Sequence, residues 1–139
     1  MKYLLDTCLL SELIKPTPST SVLEWVGEQD ETGLFISVLT LGEIHKEIGK
    51  LPNGRKKLRL QAWIDHDLCA RFKGRIIEID AEVAETWGSI SAKTEGKEKK
   101  LPAIDGLLAA TALAKGLTVI TRNTKDIGSS GAQTLNPWK

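Results

Sequence analysis

Leu101-Pro102-Ala103-Ile104-Asp105-Gly106-Leu107-Leu108-Ala109-Ala110-Thr111-Ala112-Leu113-Ala114-Lys115-Gly116-Leu117-Thr118-Val119-Ile120-Thr121 reads as a helix joined directly to a strand. Pro102 suits the opening of a helix, where a missing N–H leaves no hydrogen bond unmade. Ile104, Leu107, Leu108, Ala112 and Leu113 recur at helical spacing and are expected to pack it. Gly116 ends it. Residues 117–121 then form an apolar, β-branched run suited to a buried strand.

The same alternation extends outward in both directions. Tyr3-Leu4-Leu5 is expected to be a central buried strand ending at Asp6, followed by a helical turn from about Leu9 to Lys15 that stops before Pro16 and Pro18. Ser21-Val22-Leu23-Glu24 spells a capping box, which predicts a helix from Val22 to about Gln29. Leu34-Phe35-Ile36-Ser37-Val38 is a second strand after Gly33. Thr40-Leu41-Gly42-Glu43 spells another capping box, and Ile44, Ile48 and Leu51 supply the apolar face of its helix until Pro52-Asn53-Gly54. A long helix is expected from Arg55, packed through Leu60, Ile64, Leu68 and Phe72 with Trp63 alongside. Residues 75–79 form a third strand, and Asp80 caps a helix whose buried side is Val83, Ala84, Trp87, Ile90 and Ser91. Residues 93–100 are charged, contain Gly96, and read as a loop or a frayed helix end. Residues 132–135 complete the set as an edge strand. Strands alternating with helices predict an α/β fold of three layers, a mostly parallel central sheet with helices on both faces. With 139 residues, no repeat and no long linker, residues 1–139 read as a single domain.

Composition narrows the class. Hydrophobic residues at 41% and charged residues at 27% are ordinary for a globular domain, and a net charge of +1 favours no partner by itself. No run approaches the ~18 apolar residues of a membrane span, and the first apolar run is too short for a signal peptide. A cytoplasmic protein is expected, with Cys8 and Cys69 as buried thiols rather than a disulfide. His45 and His66 have no partners at zinc-ligand spacing.

In parallel sheets, chemistry gathers at the carboxyl ends of the strands. Asp6, Glu43, Asp105, Asn123 and Asp126 all fall at strand ends or helix starts. Each has an ordinary explanation. Asp6 could cap a helix, and Glu43 could be the third residue of the capping box that opens at Thr40. Asp105 could simply suit a helix dipole, and Asn123 and Asp126 could form a polar turn. Together, several carboxylates at one sheet edge repel one another unless a cation joins them. Hard oxygen donors without soft ligands point to Mg²⁺, with Mn²⁺ as a substitute, and so to phosphodiester hydrolysis. Gly106, beside Asp105, is expected to leave room for substrate or a metal-bound water. A haloacid-dehalogenase-type site needs an acid where Cys8 stands, a response-regulator receiver needs an early acidic pair, and a dinucleotide site needs a Gly-rich loop that is absent here.

These residues also carry a resemblance. Leu4-Leu5-Asp6-Thr7, Leu39-Thr40-Leu41-Gly42-Glu43-Ile44, residues 103–112 around Asp105, Val119-Ile120-Thr121-Arg122-Asn123-Thr124 and the closing Asn136-Pro137-Trp138 resemble PIN-domain ribonucleases of the VapC/FitB toxin type. The resemblance implies a PIN-like fold and a Mg²⁺-dependent endoribonuclease acting as the toxin of a toxin–antitoxin pair. It implies Asp6 and Asp105 as direct metal ligands. Glu43 would bind metal directly or through water, or orient the attacking water, and Thr7 and Thr121 would support the site. It also implies an RNA substrate, a homodimer, and a cognate antitoxin that blocks the acidic pocket. Two positions depart from the family pattern: Cys8 stands where an Asn is frequent, and Asn123 stands where many members have a fourth acid. Asp126 is the candidate to supply that charge. A catalytically weak module that binds RNA or antitoxin without turnover is the alternative reading.

Three basic runs could meet RNA phosphates: Arg55-Lys56-Lys57-Leu58-Arg59; Arg71, Lys73 and Arg75; and Lys93, Lys97, Lys99 and Lys100. With few aromatics, backbone recognition is expected over base stacking. Trp25, Trp63, Trp87 and Trp138 are expected in the core or at an interface.

Overall fold

A computed structural model describes residues 1–94 and 101–139. Five parallel strands form one sheet: β1 (Tyr3–Leu5), β2 (Leu34–Ser37), β3 (Ile76–Ile77), β4 (Thr118–Ile120) and β5 (Thr134–Leu135), in the spatial order β3-β2-β1-β4-β5. β1 is central, with Leu4 opposite Phe35 on one side and Val119 on the other. Its side chains alternate between two cores, as a strand's period of two requires. Leu5 joins Leu34, Ile36 and Ile120 on one face of the sheet, and Leu4 joins Val119 on the other.

The helices divide between these faces. Leu9 and Leu10 of α1 (Thr7–Leu13), Val22 of α2 (Thr20–Glu28), and Ile44 and Ile48 of α3 (Val38–Gly49) belong to the first core. So do Ile64, Leu68 and Phe72 from the expected long helix. That helix is not uniform. α4 (Arg55–Ala62) passes through a π-helical stretch (Trp63–Leu68) into α5 (Cys69–Arg71). The wider turn keeps Ile64 and Leu68 buried, and the Cys69 thiol donates to the Ile64 carbonyl at 3.2 Å. Phe72 is fully buried beneath the Arg71 and Arg75 guanidinium groups. Phe72→Ala is expected to destabilise the fold by about 3–5 kcal/mol. A shift of the urea unfolding midpoint at unchanged slope would measure this; a change under 1 kcal/mol would place Phe72 outside the core.

α6 (Ala81–Thr94), α7 (Ala103–Lys115) and α8 (Thr124–Gly128) cover the second face. α7 departs from its expected packing. Its buried residues are Gly106, Leu108, Ala109, Ala110, Thr111 and Ala112, while Ile104 and Leu113 face outward. Small side chains let the helix sit close to its neighbours. Trp87 and Ala84 are likewise exposed rather than buried on α6, whereas Trp25, Trp63 and Trp138 pack against the first core. Cys8 and Cys69 are free thiols, half-buried rather than fully so.

Two capping boxes give way to neighbouring caps. Ser19, not Ser21, caps α2, with its hydroxyl accepting from Val22 N at 3.4 Å. Ser37, not Thr40, caps α3, accepting from Leu39 N at 3.1 Å. Asp80 caps α6 as expected, accepting from Val83 N at 2.9 Å. Among the described residues no helix is long and apolar enough to cross a membrane.

Candidate metal and catalytic site

β1 and β4 end side by side, and Asp6 N donates to the Ile120 carbonyl at 3.1 Å. The Asp6 carboxylate therefore emerges at the carboxyl edge of the sheet. One oxygen caps α1 through Thr7 N at 2.7 Å, and the other accepts from the Thr121 hydroxyl at 2.7 Å. One side chain thus caps α1 and ties it to the end of β4.

Glu43 is different. Ser37 starts α3 three residues early, so Glu43 lies in the helix body and not at its third position. Its carboxylate is free to turn toward β1, where it accepts from the Thr7 hydroxyl at 2.6 Å. The capping explanation for Glu43 therefore does not hold. Thr40, relieved of the same duty, is buried with its hydroxyl oxygen unbonded.

Asp105, in the first turn of α7, accepts from the Asn123 amide at 3.1 Å. Asn123 N donates in turn to the Thr121 hydroxyl oxygen at 3.0 Å. Burial, then the charges of Asp6, Glu43 and Asp126, push the Asp105 carboxyl above its ordinary value; the Asn123 bond partly opposes them. The other four residues expected at the site thus all act on Asp105. Among the described residues no three His, Cys, Asp or Glu side chains close around one point as they lie. The acids share a field rather than a finished cage. Their donor set, hard carboxylate oxygens around a mutually repelled centre, still fits a hard divalent cation.

Cys8 lies beside Asp6, its thiol 3.7 Å from the carboxylate and 3.9 Å from the Thr121 hydroxyl. Burial and then the Asp6 charge push that thiol up, opposed by the Arg122 backbone N–H and the Thr121 hydroxyl. It stays a neutral thiol and offers the acids a weak donor. Gly106 does not open toward the site as expected. A Cβ there would meet the Trp87 indole nitrogen at 3.3 Å and Leu101 at 3.8 Å, so its smallness serves helix packing.

One charged residue escaped the sequence reading. Glu12 on α1 is only 4% exposed, yet it gathers donors from Lys15, Ser19 N, Arg122 and the Trp138 indole. The bonds from Trp138, Ser19 and Lys15 hold its carboxyl down at about 2. The available sign was one acid among Leu9, Leu10 and Leu13. Because the folded value lies below the ordinary 4.5, Glu12 stabilises the fold fully above that value and loses its contribution as pH falls toward 2. Glu12→Gln is expected to flatten the acid limb of a stability–pH curve between those values. An unchanged limb would show that Glu12 ionisation does not matter to folding.

The basic runs separate. Arg71 pairs with Glu31 through two bonds of 2.7 and 3.2 Å, and Arg75 donates to the Leu34 and Glu31 carbonyls at 2.6 Å. Those arginines are committed to the fold. Lys56 and Arg59 instead line a cleft of about 730 Å³ with Ile14, Pro16, Leu60 and Trp63. An adjoining hollow of about 210 Å³ shares Ser11, Ile14, Lys56, Leu60 and Trp63 and reaches Thr7, beside Glu43. Lys97, Lys99 and Lys100 of the third run lie outside the described residues.

The family model of the PIN domain matches residues 3–127. The chain belongs to the PIN-domain family. This PIN domain is similar to toxin FitB of Neisseria gonorrhoeae, with 36% identity over 137 residues and 97% of each chain covered. It is also similar to the VapC ribonuclease Y4jK of Sinorhizobium fredii, with 30% identity over 135 residues, 97% of this chain and 96% of that one. Its backbone follows a chain in the crystal structure of FitAcB from Neisseria gonorrhoeae with a TM-score of 0.92, at 32% identity and 98% coverage of both. A chain of FitAB bound to an IR36 DNA fragment matches equally well, at 31% identity, covering 99% of this PIN domain and 96% of that chain. Asp6, Glu43 and Asp105 all lie within the residues matched to the PIN domain.

Proposed function

We propose that this PIN domain is the toxin of a toxin–antitoxin pair and an endoribonuclease that hydrolyses RNA phosphodiester bonds. The observation that carries the reading is the state of Asp105, partly desolvated and within the fields of Asp6, Glu43 and Asp126. Fold stability alone gives no reason to assemble such charges. The names of the relatives, a VapC ribonuclease and a FitB toxin, support the same class.

Asp6 and Asp105 would hold a Mg²⁺ ion directly, or Mn²⁺ in its place, with Glu43 ligating directly or through water. When bound, the ion supplies Lewis-acid stabilisation of phosphoryl charge and hydroxide at neutral pH. The chain's own part is positioning. Thr121 fixes the Asp6 carboxylate, Thr7 fixes Glu43, and Asn123 orients Asp105 by an amide donor. Asn123 thereby stands where a further acid is frequent, and Asp126 supplies charge from one turn of α8. Where Glu43 does not ligate the ion, it would orient the water for in-line attack. The P–O3′ bond breaks, leaving a 5′-phosphate and a 3′-hydroxyl.

The antitoxin is the expected partner, a reading supported by the likeness to toxin FitB and to a chain of FitAB. The cleft between α1 and α4 suits an amphipathic segment, with Ile14, Leu60 and Trp63 for its apolar side and Lys56 and Arg59 at its edge. A segment continuing through the hollow at Thr7 would reach the acids and could place a cation among them. Trp87 and Ile104, exposed near Asp105, would be covered by a second copy in a homodimer.

Expression in cells tests the reading. Wild type is expected to arrest growth and leave discrete cuts in recovered RNA, whereas Asp6→Asn does neither. Soluble wild type that permits normal growth with intact RNA would favour the binding-module alternative. That alternative draws on the Cys8 and Asn123 departures, and weak Mn²⁺ binding would accompany it.

A further inference from the structure

We propose that Glu12, Arg122 and Trp138 form a latch that sets the position of the loop between β4 and α8, and through that loop the positions of Asp6 and Asp105. The latch joins four separate parts of the chain. Glu12, on α1, is buried and accepts from Lys15 Nζ at 3.1 Å and from Ser19 N at 3.0 Å, which ties in the start of α2. It accepts from an Arg122 guanidinium nitrogen at 2.9 Å and from Trp138 Nε1 at 3.0 Å. The Arg122 guanidinium carbon sits 4.3 Å from the Trp138 ring centroid, so cation and indole are stacked as well as sharing an acceptor. The end of the chain is anchored again by the Ser21 hydroxyl donating to the Pro137 carbonyl at 2.6 Å, and Asn136 turns it through Trp138 N at 2.9 Å.

A carboxylate buried without partners is strongly unfavourable, and one with four donors is fixed in place. What Glu12 fixes is Arg122, whose neighbours on both sides act at the site. Thr121 holds Asp6 at 2.7 Å, and Asn123 holds Asp105 at 3.1 Å. Asn123 N also donates to the Thr121 hydroxyl oxygen at 3.0 Å, so the loop moves as one piece. The latch acts on Asp6 and Asp105 through Thr121 and Asn123. Its three residues are positioning residues, and their effect on chemistry rests on the ribonuclease reading above. Their effect on the loop does not.

Two measurements on wild type, Arg122→Ala, Trp138→Ala and Trp138→Phe separate these. The first is amide hydrogen exchange of the metal-free proteins. The second is single-site cleavage of an oligoribonucleotide containing a sequence that wild type cuts. Arg122 is half exposed, with 53% of its side chain accessible, so its truncation leaves the core filled and guards against a failure of Trp138→Ala to fold. In Arg122→Ala, exchange at residues 121–123 is expected to rise about tenfold while β1 keeps its protection. Small displacements of reacting groups lower rates by up to about 100-fold; kcat is expected to fall about 10- to 100-fold with KM within about twofold. Trp138→Phe keeps an aromatic stacking face but loses the N–H and one ring, so it is expected between wild type and Trp138→Ala. The latch is overturned if all strands lose protection together, or if the loop exchanges as in wild type with kcat unchanged. Should wild type cut no RNA, the ribonuclease reading fails and the exchange pattern alone decides the latch.

Discussion

Asp105→Asn is expected to lower RNA cleavage by about 10²- to 10³-fold, the usual consequence of removing one preorganised charge from a reacting centre, and to leave the metal-free fold at least as stable. The two halves have one cause. The Asp105 carboxyl is raised above its ordinary 3.8 by burial and by the charges of Asp6, Glu43 and Asp126. A raised value means the folded protein holds that proton more tightly than the unfolded chain. The associated stability is fully present below 3.8 and is lost as pH rises through the folded value. At neutral pH the ionised Asp105 therefore works against folding, and an amide of the same shape removes the repulsion. Thermal unfolding of both proteins without divalent ions is the check. Asp105→Asn should unfold at the same or a higher temperature at pH 7, and its advantage should vanish in acid. A protein that is markedly less stable at pH 7 would make Asp105 a structural residue, and undiminished cleavage would remove it from the site.

Mn²⁺ is expected to raise the unfolding temperature of wild type by roughly 10 °C at about 100 times its Kd. At that excess, binding to the folded state alone adds about 2.7 kcal/mol. Here the ion would also neutralise the repulsion that Asp105 reports. A chelator should reverse the shift, and Asp6→Asn should abolish most of it. Ca²⁺ is a useful companion, since it prefers more oxygen ligands than these few acids offer. A wild-type protein whose unfolding temperature ignores both ions would speak for the binding-module alternative. The measurement reads the site without any RNA, so it stands apart from the choice of substrate.

Much of this architecture was legible because strand and helix leave different marks. The helix-to-strand unit at residues 101–121 and the short run Tyr3-Leu4-Leu5 define the two strands that meet at the site, and an α/β topology then puts Asp6 and Asp105 at one edge. Glu43 was harder. Its local context spells a capping box, and only the competition from Ser37 frees it to meet Thr7, 36 residues away. That competition is decided by where β2 ends, which local pattern does not fix. Gly106 looked like open space because a sequence shows a missing side chain but not the neighbour that fills the gap, here Trp87. Arg71 and Arg75 looked like a nucleic-acid patch for a similar reason: their partner Glu31 lies some 40 residues earlier in the chain. Glu12 was invisible on the same ground, since its donors come from residue 15 at one extreme and residue 138 at the other.

Those long separations bear on how the protein is made. Asp6 and Thr121 touch although they are 115 positions apart, and Glu12 waits for a partner 126 residues downstream. Translation delivers Asp6 and Glu43 early, Asp105 late, and Thr121, Arg122 and Trp138 later still. The central strand β1 likewise lacks its β4 neighbour until most of the chain has emerged. On the ribonuclease reading, a nascent chain is expected to be inert until β4 has emerged. A chain stopped before β4 lacks both the second neighbour of β1 and the Thr121 hydroxyl that holds Asp6, so its acids have no edge on which to gather.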